Sequence, residues 1–248
     1  MSESLLVVCI PTYNEAETIE KLLERIGSVR TDILNEFAVT TQVLIIDDNS
    51  PDGTASIIKA LALPWVEVIH QPIKTGLGPA YLKGFSRALS MGSAYIGEMD
   101  ADLSHQPESL IELLRPVINQ EAGLTIGTRW MPGGAVKNWP IWRQLISRAG
   151  TGYAKLVLRI PLRDITSGYR IFSSTVLESI DLTRIESKGY GFQIEMALET
   201  LNKGFEIKEV PITFVERVGG VSKMSKSIVA EALWKVTTWG FKRFFKRR

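Results

Sequence analysis

Asp100 and Asp102, two carboxylates separated only by the small Ala101, are the residues of this 248-residue sequence best suited to chemistry. Acids this close repel each other unless a cation or hydrogen-bond donors compensate. A hard divalent ion does so readily, because Mg²⁺ takes one or two carboxylates and fills its remaining positions with substrate phosphates and water. The other reading of the same residues is a solvated, Asp-rich turn. Their flanks bear on the choice. The apolar run Ala94 to Met99 leads into the acids as a buried strand would. Beyond them Pro107 stands at a first helical position, with Glu108 in the first turn. Strand, acid pair and helix in that order put the acids at the carboxyl end of a parallel strand, where open α/β sheets bind ligands.

The elements before this stretch repeat the pattern. Leu5 to Ile10 is a continuous apolar run, a strand buried on both faces, and it stops at Pro11-Thr12-Tyr13-Asn14-Glu15. Asn14 with Glu17 three residues later reads as a capping box opening a helix to about Val29. Val43 to Ile46 is a second strand, ended by Asp47-Asp48-Asn49-Ser50-Pro51-Asp52-Gly53. Further elements are helices over about 54–61, 79–91 and 107–119 and strands over 66–70 and 124–127. Alternating strands and helices predict a doubly wound, mostly parallel sheet flanked by helices, an α/β fold with right-handed crossovers. Acids close three of these strands: Glu15, Asp47 with Asp48, and Asp100 with Asp102. Three on one sheet edge make a site. Asp52-Gly53 reads as a turn, and Cys9 as core.

The second half is less regular. Pro132-Gly133-Gly134 marks a loop, and about 139–159 reads as a helix with Trp142, Ile146, Ala149, Tyr153 and Leu156 on one side. Residues 164–170 read as a polar turn, followed by helices over about 175–180 and 192–201 and one strand over 206–214. A Gly-rich basic loop over 217–226 completes a body of residues 1–226, and residues 227–248 form an amphipathic basic helix. On that helix Val229, Ala232, Leu233, Val236 and Gly240 suit packing on the body. Trp234, Phe241 and Phe245 make a second stripe, flanked by Lys235, Lys242 and Lys246, as on helices that lie in a membrane interface. The alternative is packing on a partner protomer or subunit.

Composition narrows the class. At 45% hydrophobic and 23% charged the chain is an ordinary globular protein rather than a disordered one. A single cysteine excludes an internal disulfide and points to a reducing compartment. The acidic start does not resemble a signal peptide, and no apolar run approaches the roughly 18 residues of a spanning helix. The net charge of +2 conceals an asymmetry: residues 217–248 hold nine Lys and Arg against one acid, Glu231, so the remainder is at −6. Residues 131–163 add six basic residues and no acid. Such stretches suit an anionic partner, whether lipid, nucleic acid or phosphorylated substrate. They contain no recognisable nucleic-acid motif, so nucleic acid is not the expected partner.

Taken together, Pro11-Thr12-Tyr13-Asn14-Glu15, Asp47 through Gly53, Asp100-Ala101-Asp102, Gly127-Thr128-Arg129 and Thr166-Ser167-Gly168-Tyr169-Arg170 resemble glycosyltransferase family 2. Within it they are most similar to the dolichol- or polyprenol-phosphate mannosyltransferases, over about residues 5–225. The resemblance implies a GT-A fold. It implies that Pro11, Tyr13 and Glu15 border the base and ribose of GDP-mannose, with Ile46 and Asp48 beside them. Asp100, Ala101 and Asp102 would hold the ribose and a diphosphate bound to Mg²⁺ or Mn²⁺, both acids on the metal and Asp102 the principal ligand. Some relatives place a Gln two residues after the second acid on the metal; Ser104 stands there in this sequence. Arg217 and Lys223 would close over the donor phosphates, and Arg129, Arg143 and Ser147 would bind the acceptor phosphate. The implied reaction is inverting transfer of mannose to a polyprenyl or dolichyl phosphate, with Asp100, Asp102 and Arg129 as its catalytic residues. The implied setting is the cytoplasmic face of a membrane, with a membrane subunit as a further partner.

The chemistry is consistent with this. The departing nucleoside diphosphate gains negative charge, which a metal and cationic side chains stabilise. A phosphate acceptor is already ionised and needs no strong general base, so His70 and His105 have no base role. Two rivals share the fold: a UDP-glucose-dependent polyprenyl-phosphate glucosyltransferase, and a catalytically silent membrane adaptor. Trp139 and Trp142 read either as core anchors or as the lining of a groove for the prenyl chain.

Overall fold

The structure, a computed structural model, describes residues 4–187, 189–216 and 226–246. Its centre is a seven-stranded sheet. Strands β1 (Ser4–Thr12), β2 (Val39–Asp47), β3 (Val66–His70), β4 (Tyr95–Glu98) and β5 (Leu124–Thr128) follow the apolar runs of the sequence. With β6 (Ala135–Lys137), β7 (Arg170–Ser173), β8 (Ile207–Pro211) and β9 (Thr213–Val215) they complete the strands. The sheet order is β3-β2-β1-β4-β7-β5-β8, and β6 pairs with β9 in a small second sheet. All main-sheet neighbours are parallel except β7, which runs antiparallel to both β4 and β5. The expected mostly parallel α/β sheet of GT-A type is therefore present.

Alternation along β1 fills two cores. Leu6, Val8 and Ile10 face helices α1 (Ile19–Phe37), α2 (Thr54–Leu61) and α4 (Ser109–Ile118). Val7 and Cys9 face α3 (Leu77–Ser90), α6 (Ser174–Ser179) and α7 (Gly189–Asn202), with parts of α5 (Ile141–Leu158) and α8 (Lys226–Lys246). A strand apolar on both faces has to be covered on both, and Cys9 is core as expected.

Several expectations need correction. The helix after β1 begins at Ile19 rather than at an Asn14 cap, and it continues to Phe37. Asn14 adopts φ 59°, and long-range partners hold its amide and the two that follow. Ser50 Oγ accepts from the Asn14 amide at 3.1 Å, Thr54 Oγ1 from Glu15 at 3.0 Å and Asp52 Oδ2 from Ala16 at 3.0 Å. Asp52 also accepts from the Thr54 amide at 3.0 Å, so its turn role stands. Pro107 precedes its helix, which starts at Ser109.

The expected strand over 206–214 is two strands in different sheets, turned at the buried Ile212. The Ile212 amide donates to the Thr128 carbonyl, and its carbonyl accepts from Ala135. Close approach at this turn requires Gly127, where a Cβ would lie 2.9 Å from Ile212 Cγ2. The presumed polar turn over 164–170 is an interior feature: Asp164, Tyr169 and Arg170 are all fully buried. Arg170 donates to the carbonyls of Ser167, Gln193 and Ile165, each at 2.7 Å, and pairs in register with Glu98 across the sheet. Polar side chains are tolerated inside because each finds partners.

On α5 the buried residues are Thr151, Ala154 and Leu158. Trp142, Ile146, Ala149 and Leu156, from the apolar side read in the sequence, are exposed. The closing helix α8 packs on α5 and α7. Val236 and Gly240 are buried as expected, and a Cβ on Gly240 would come within 2.4 Å of Val157 Cγ1. Leu233 is exposed, as are Trp234 and Phe241 of the second stripe; the Phe245 side chain lies outside the description.

Candidate active site

The carboxyl ends of β1, β2 and β4 stand side by side because their strands are parallel neighbours. Pro11 is in register with Ile46 and Thr12 with Asp47, while Cys9 is in register with Glu98, one residue before the turn into Asp100. Pro11, Tyr13 and Glu15 are half-buried on this edge, whereas Ile46 is wholly buried and forms its floor. Lys74 places its ammonium 3.5 Å from the centroid of the Tyr13 ring, a cation–π contact. Asp48 is committed to the adjoining loop. Its carboxylate accepts from the amides of Thr75 (2.7 Å) and Gly76 (2.8 Å), from Thr75 Oγ1 (3.0 Å) and from Gln71 Nε2 (3.2 Å). Asp48 thereby fixes the loop that carries Lys74. Asp47 is held by Thr12 Oγ1 at 3.0 Å and by His70 Nδ1 at 3.1 Å.

Asp100 and Asp102 follow β4, half-buried, with Ala101 buried between them. Asp102 Oδ1 accepts from the Ser104 amide at 3.1 Å. The Ser104 hydroxyl is buried, with no hydrogen-bond partner among the described residues. Two carboxylates and an unsatisfied buried hydroxyl fit a Mg²⁺- or Mn²⁺-type oxygen site, completed by phosphate and water. Among the described residues no cluster of three or more His, Cys, Asp or Glu forms a self-contained metal cage.

His105 braces the pair. Its Nδ1 accepts the Asp100 amide hydrogen at 3.1 Å, which leaves the ring proton on Nε2, 3.8 Å from Asp100 Oδ2. The ring stacks on Tyr169 at 4.7 Å and meets Phe214 edge-on at 5.5 Å. Burial, reinforced by nearby Arg129 and opposed by Asp102 and Asp164, pushes its imidazole down to about 4. It is neutral at physiological pH, consistent with a positioning rather than an acid–base role. Two residues before the acids, Glu98 is fully buried and accepts from Gln193 Nε2 at 2.7 Å. Burial pushes its carboxyl up to about 7, partly offset by Arg170.

Phe214 links this region to a second one. It lies 5.2 Å from the Trp139 ring and 5.4 Å from the Arg129 guanidinium. Arg129, at the end of β5, is nearly buried and doubly bonded to Asp164: Nε to Oδ2 and a terminal nitrogen to Oδ1, both 2.7 Å. Asp164 also accepts the Arg129 amide at 3.1 Å. The amides of Arg163 and Asp164 are in turn held by Glu209, at 2.8 and 3.0 Å. Arg143 on α5 stacks on Trp139 at 5.0 Å and donates to Glu216 Oε1 at 2.5 Å.

Arg129, Arg143 and Ser147 line one open pocket of about 710 Å³, including its solvent-facing part. Ile146, Tyr153, Ile194, Leu233 and Val236 form its apolar wall between α5, α7 and α8. The structure thus brings together all three residues expected at the acceptor phosphate. Trp139 is part of that lining and Trp142 is not. Arg217, Gly219, Gly220 and Lys223 lie outside the described residues. Lys74, Asp164 and Glu216 were not singled out from sequence, and His105 was read there as a loop residue without a base role. Their roles depend on neighbours distant along the chain, and only the basic run 131–163, with Asp164 directly after it, hinted at one of them.

Residues 7–181 match the model of glycosyl transferase family 2. The chain belongs to that family. It is 45% identical to the polyprenol monophosphomannose synthase of Mycolicibacterium smegmatis over 240 residues, 95% of this chain and 87% of that protein. It is 47% identical to the undecaprenyl-phosphate mannosyltransferase of Micrococcus luteus over 237 residues, 95% and 93% of the two chains. Among solved structures, glucosyl-3-phosphoglycerate synthase from Mycobacterium tuberculosis, in complex with Mn²⁺, UDP-glucose and phosphoglyceric acid, superposes with a TM-score of 0.71. That alignment covers 97% of this chain and 80% of the other at 17% identity, a likeness of fold. The chain is a glycosyltransferase of GT-A fold.

Proposed function

We propose that this glycosyltransferase moves mannose from GDP-mannose to a polyprenyl or dolichyl phosphate, inverting the anomeric centre to give a β-linked phosphodiester. The observation that carries the reading is one pocket whose lining joins Arg129, Arg143 and Ser147 to an apolar wall on α5 and α8. A phosphate head on a hydrocarbon tail has that polarity, and the two named mannosyltransferase relatives support the same acceptor class. Arg143 and Ser147 are four residues apart on α5 and so share a face. Planar guanidinium groups suit phosphate oxygens.

Pro11, Tyr13 and Glu15 bind the nucleoside end of the donor, over the floor made by Ile46 and the Asp48-held loop. Arg217 and Lys223 are assigned to the donor phosphates by family resemblance. Asp100 and Asp102 hold Mg²⁺ or Mn²⁺, with Ser104 Oγ beside them. An ion held there would supply positive charge against the negative charge gathering on the departing nucleoside diphosphate. Arg129, fixed by Asp164, presents the acceptor phosphate to the sugar carbon. An oxygen of the ionised phosphate attacks that carbon as its bond to the diphosphate breaks, and no proton needs removal. Neutral His105 keeps the Asp100 amide in place throughout.

The pocket opens on an apolar surface. Ile146 and Leu233, at its rim, are exposed, and so are Ile141, Trp142, Leu145 and Leu156 of α5 and Trp234 and Phe241 of α8. Exposed Arg148, Lys155 and Arg159 accompany them on or beside α5. Aromatics bordered by cations suit an anionic leaflet, so the protein rests peripherally on the cytoplasmic face, with its acceptor drawn directly from the lipid. No helix among the described residues is long and apolar enough to cross a membrane.

Purified protein given radiolabelled GDP-mannose, Mg²⁺ and a short polyprenyl phosphate should pass label into the organic phase. UDP-glucose as a better donor would replace this reading with the glucosyl one. No transfer from either, with nucleotide and metal failing to bind by calorimetry, would favour the silent adaptor.

A further inference from the structure

The two arginines of the pocket lining are held by carboxylates in different ways. Arg129 and Asp164 form a two-pronged pair with 8% and 0% of their side chains exposed, and Asp164 is additionally fixed by the Arg129 amide. Arg143 meets Glu216 through Nη1 and Oε1, with 15% and 26% of those side chains exposed. Glu216 directly follows β9 and is anchored by its amide to the Lys137 carbonyl at 3.0 Å. Its carboxylate thus occupies the guanidinium that Proposed function assigns to the acceptor phosphate.

We propose that Glu216 is an internal competitor for the acceptor phosphate, a carboxylate that keeps Arg143 paired while the pocket is empty and yields it when an anionic headgroup arrives. This rests on the reading of Arg143 as an acceptor-binding residue. The buried, two-pronged Asp164 stays with Arg129, while the more exposed Glu216 is the partner that exchanges. A phosphate monoester carries close to two negative charges at neutral pH and offers three acceptor oxygens, which lets it displace a single carboxylate. The cost of displacement falls on every anion that uses Arg143, the phosphodiester product included. Glu216 therefore weakens the grip on acceptor and product alike and assists turnover by returning to Arg143 as product leaves. It is a positioning residue, acting through Arg143 without touching substrate.

Competition and simple support of Arg143 predict opposite signs. If Glu216 competes, Glu216→Gln frees Arg143, and the apparent Kd falls by the populated fraction of the paired state, about two- to tenfold. If Glu216 merely supports Arg143, the same variant binds acceptor more weakly. The probe is farnesyl phosphate, titrated calorimetrically into the full chain, with steady-state kinetics and thermal melting alongside. The expected result is tighter farnesyl phosphate binding and a lower acceptor KM in Glu216→Gln, no gain in kcat and an unchanged melting temperature. Glu216→Asp should fall between that variant and the parent. Weaker binding in Glu216→Gln that is restored by Glu216→Asp would overturn the proposal, and so would unchanged binding. Arg143→Ala separates the two levels of the argument. If it weakens farnesyl phosphate binding while Glu216→Gln changes nothing, competition fails and the acceptor site stands. If Arg143→Ala also binds normally, the assignment of Arg143 falls, and the proposal with it.

Discussion

At Asp102 the carboxylate is half-buried, receives one amide hydrogen from its own loop, and belongs to a pair that a cation would satisfy. Removing its charge while keeping its size separates metal binding from folding. Asp102→Asn should melt within a degree or two of the parent and lose transfer by roughly two to three orders of magnitude, since leaving-group stabilisation by a metal is worth several kcal/mol. Mn²⁺ binding should weaken in parallel. Full activity in this variant, or equal rates with chelator and with Mg²⁺, would remove the metal from the proposal. The acids were legible in sequence because an acid pair at a strand end is a local pattern. His105 was not. Its value comes from Tyr169 and Phe214 closing over it and from the Asp100 amide it accepts, none of which spacing records. Asp164 was misread for the same reason: polarity in sequence does not distinguish a solvated turn from a carboxylate locked to a buried arginine.

Among the elements, the parallel strands and the helices facing them were legible, since a run apolar on both faces has few other uses. The four-residue β7 was hidden inside what looked like a polar segment, because Arg170 at its start is a charge with internal partners. On helix α5 the sequence showed an apolar side but not what it meets: Trp142 is 59% exposed, and the core takes Thr151, Ala154 and Leu158. An apolar stripe reports what avoids water and not which surface it meets. If α5 and α8 meet lipid, Trp142→Ser, Leu145→Ser and Trp234→Ser combined should lower affinity for vesicles containing anionic lipid by at least tenfold. All three side chains are exposed and lie outside the pocket lining, so melting temperature and activity on a short, water-dispersible acceptor should be little changed. Undiminished vesicle binding, measured by co-sedimentation, would assign this surface to a protein partner.

Across the middle of the sheet, Glu98, Gln193 and Arg170 form a buried polar group: the Gln193 side chain donates to Glu98, and its backbone carbonyl accepts from Arg170, which is in register with Glu98. Burial raises Glu98 from 4.5 to about 7, so the native state holds a proton that the unfolded chain has released. Stability from this group is therefore complete below about pH 4.5 and is lost as pH rises to about 7, a loss on the order of 3 kcal/mol in total. Glu98→Gln keeps a hydrogen-bonding group without the titration and should flatten that part of the curve. Urea unfolding at pH 5, 6 and 7 would read it, and parallel curves for parent and variant would exclude Glu98 as the source.

The antiparallel strand at the centre of the sheet also bears on how the chain is made. Strands β1 to β4 are complete once residue 98 has been synthesised, and they form a contiguous four-stranded block on their own. The partner that covers the open side of β4 is β7, beginning at Arg170. At ordinary elongation rates of about 5–20 residues per second, β4 waits several seconds on the ribosome with unpaired amides and carbonyls, the state in which strand edges recruit other chains. The middle of the sheet is thus a temporary edge during synthesis, and the nascent protein is most exposed to mispairing before the pocket between α5, α7 and α8 exists.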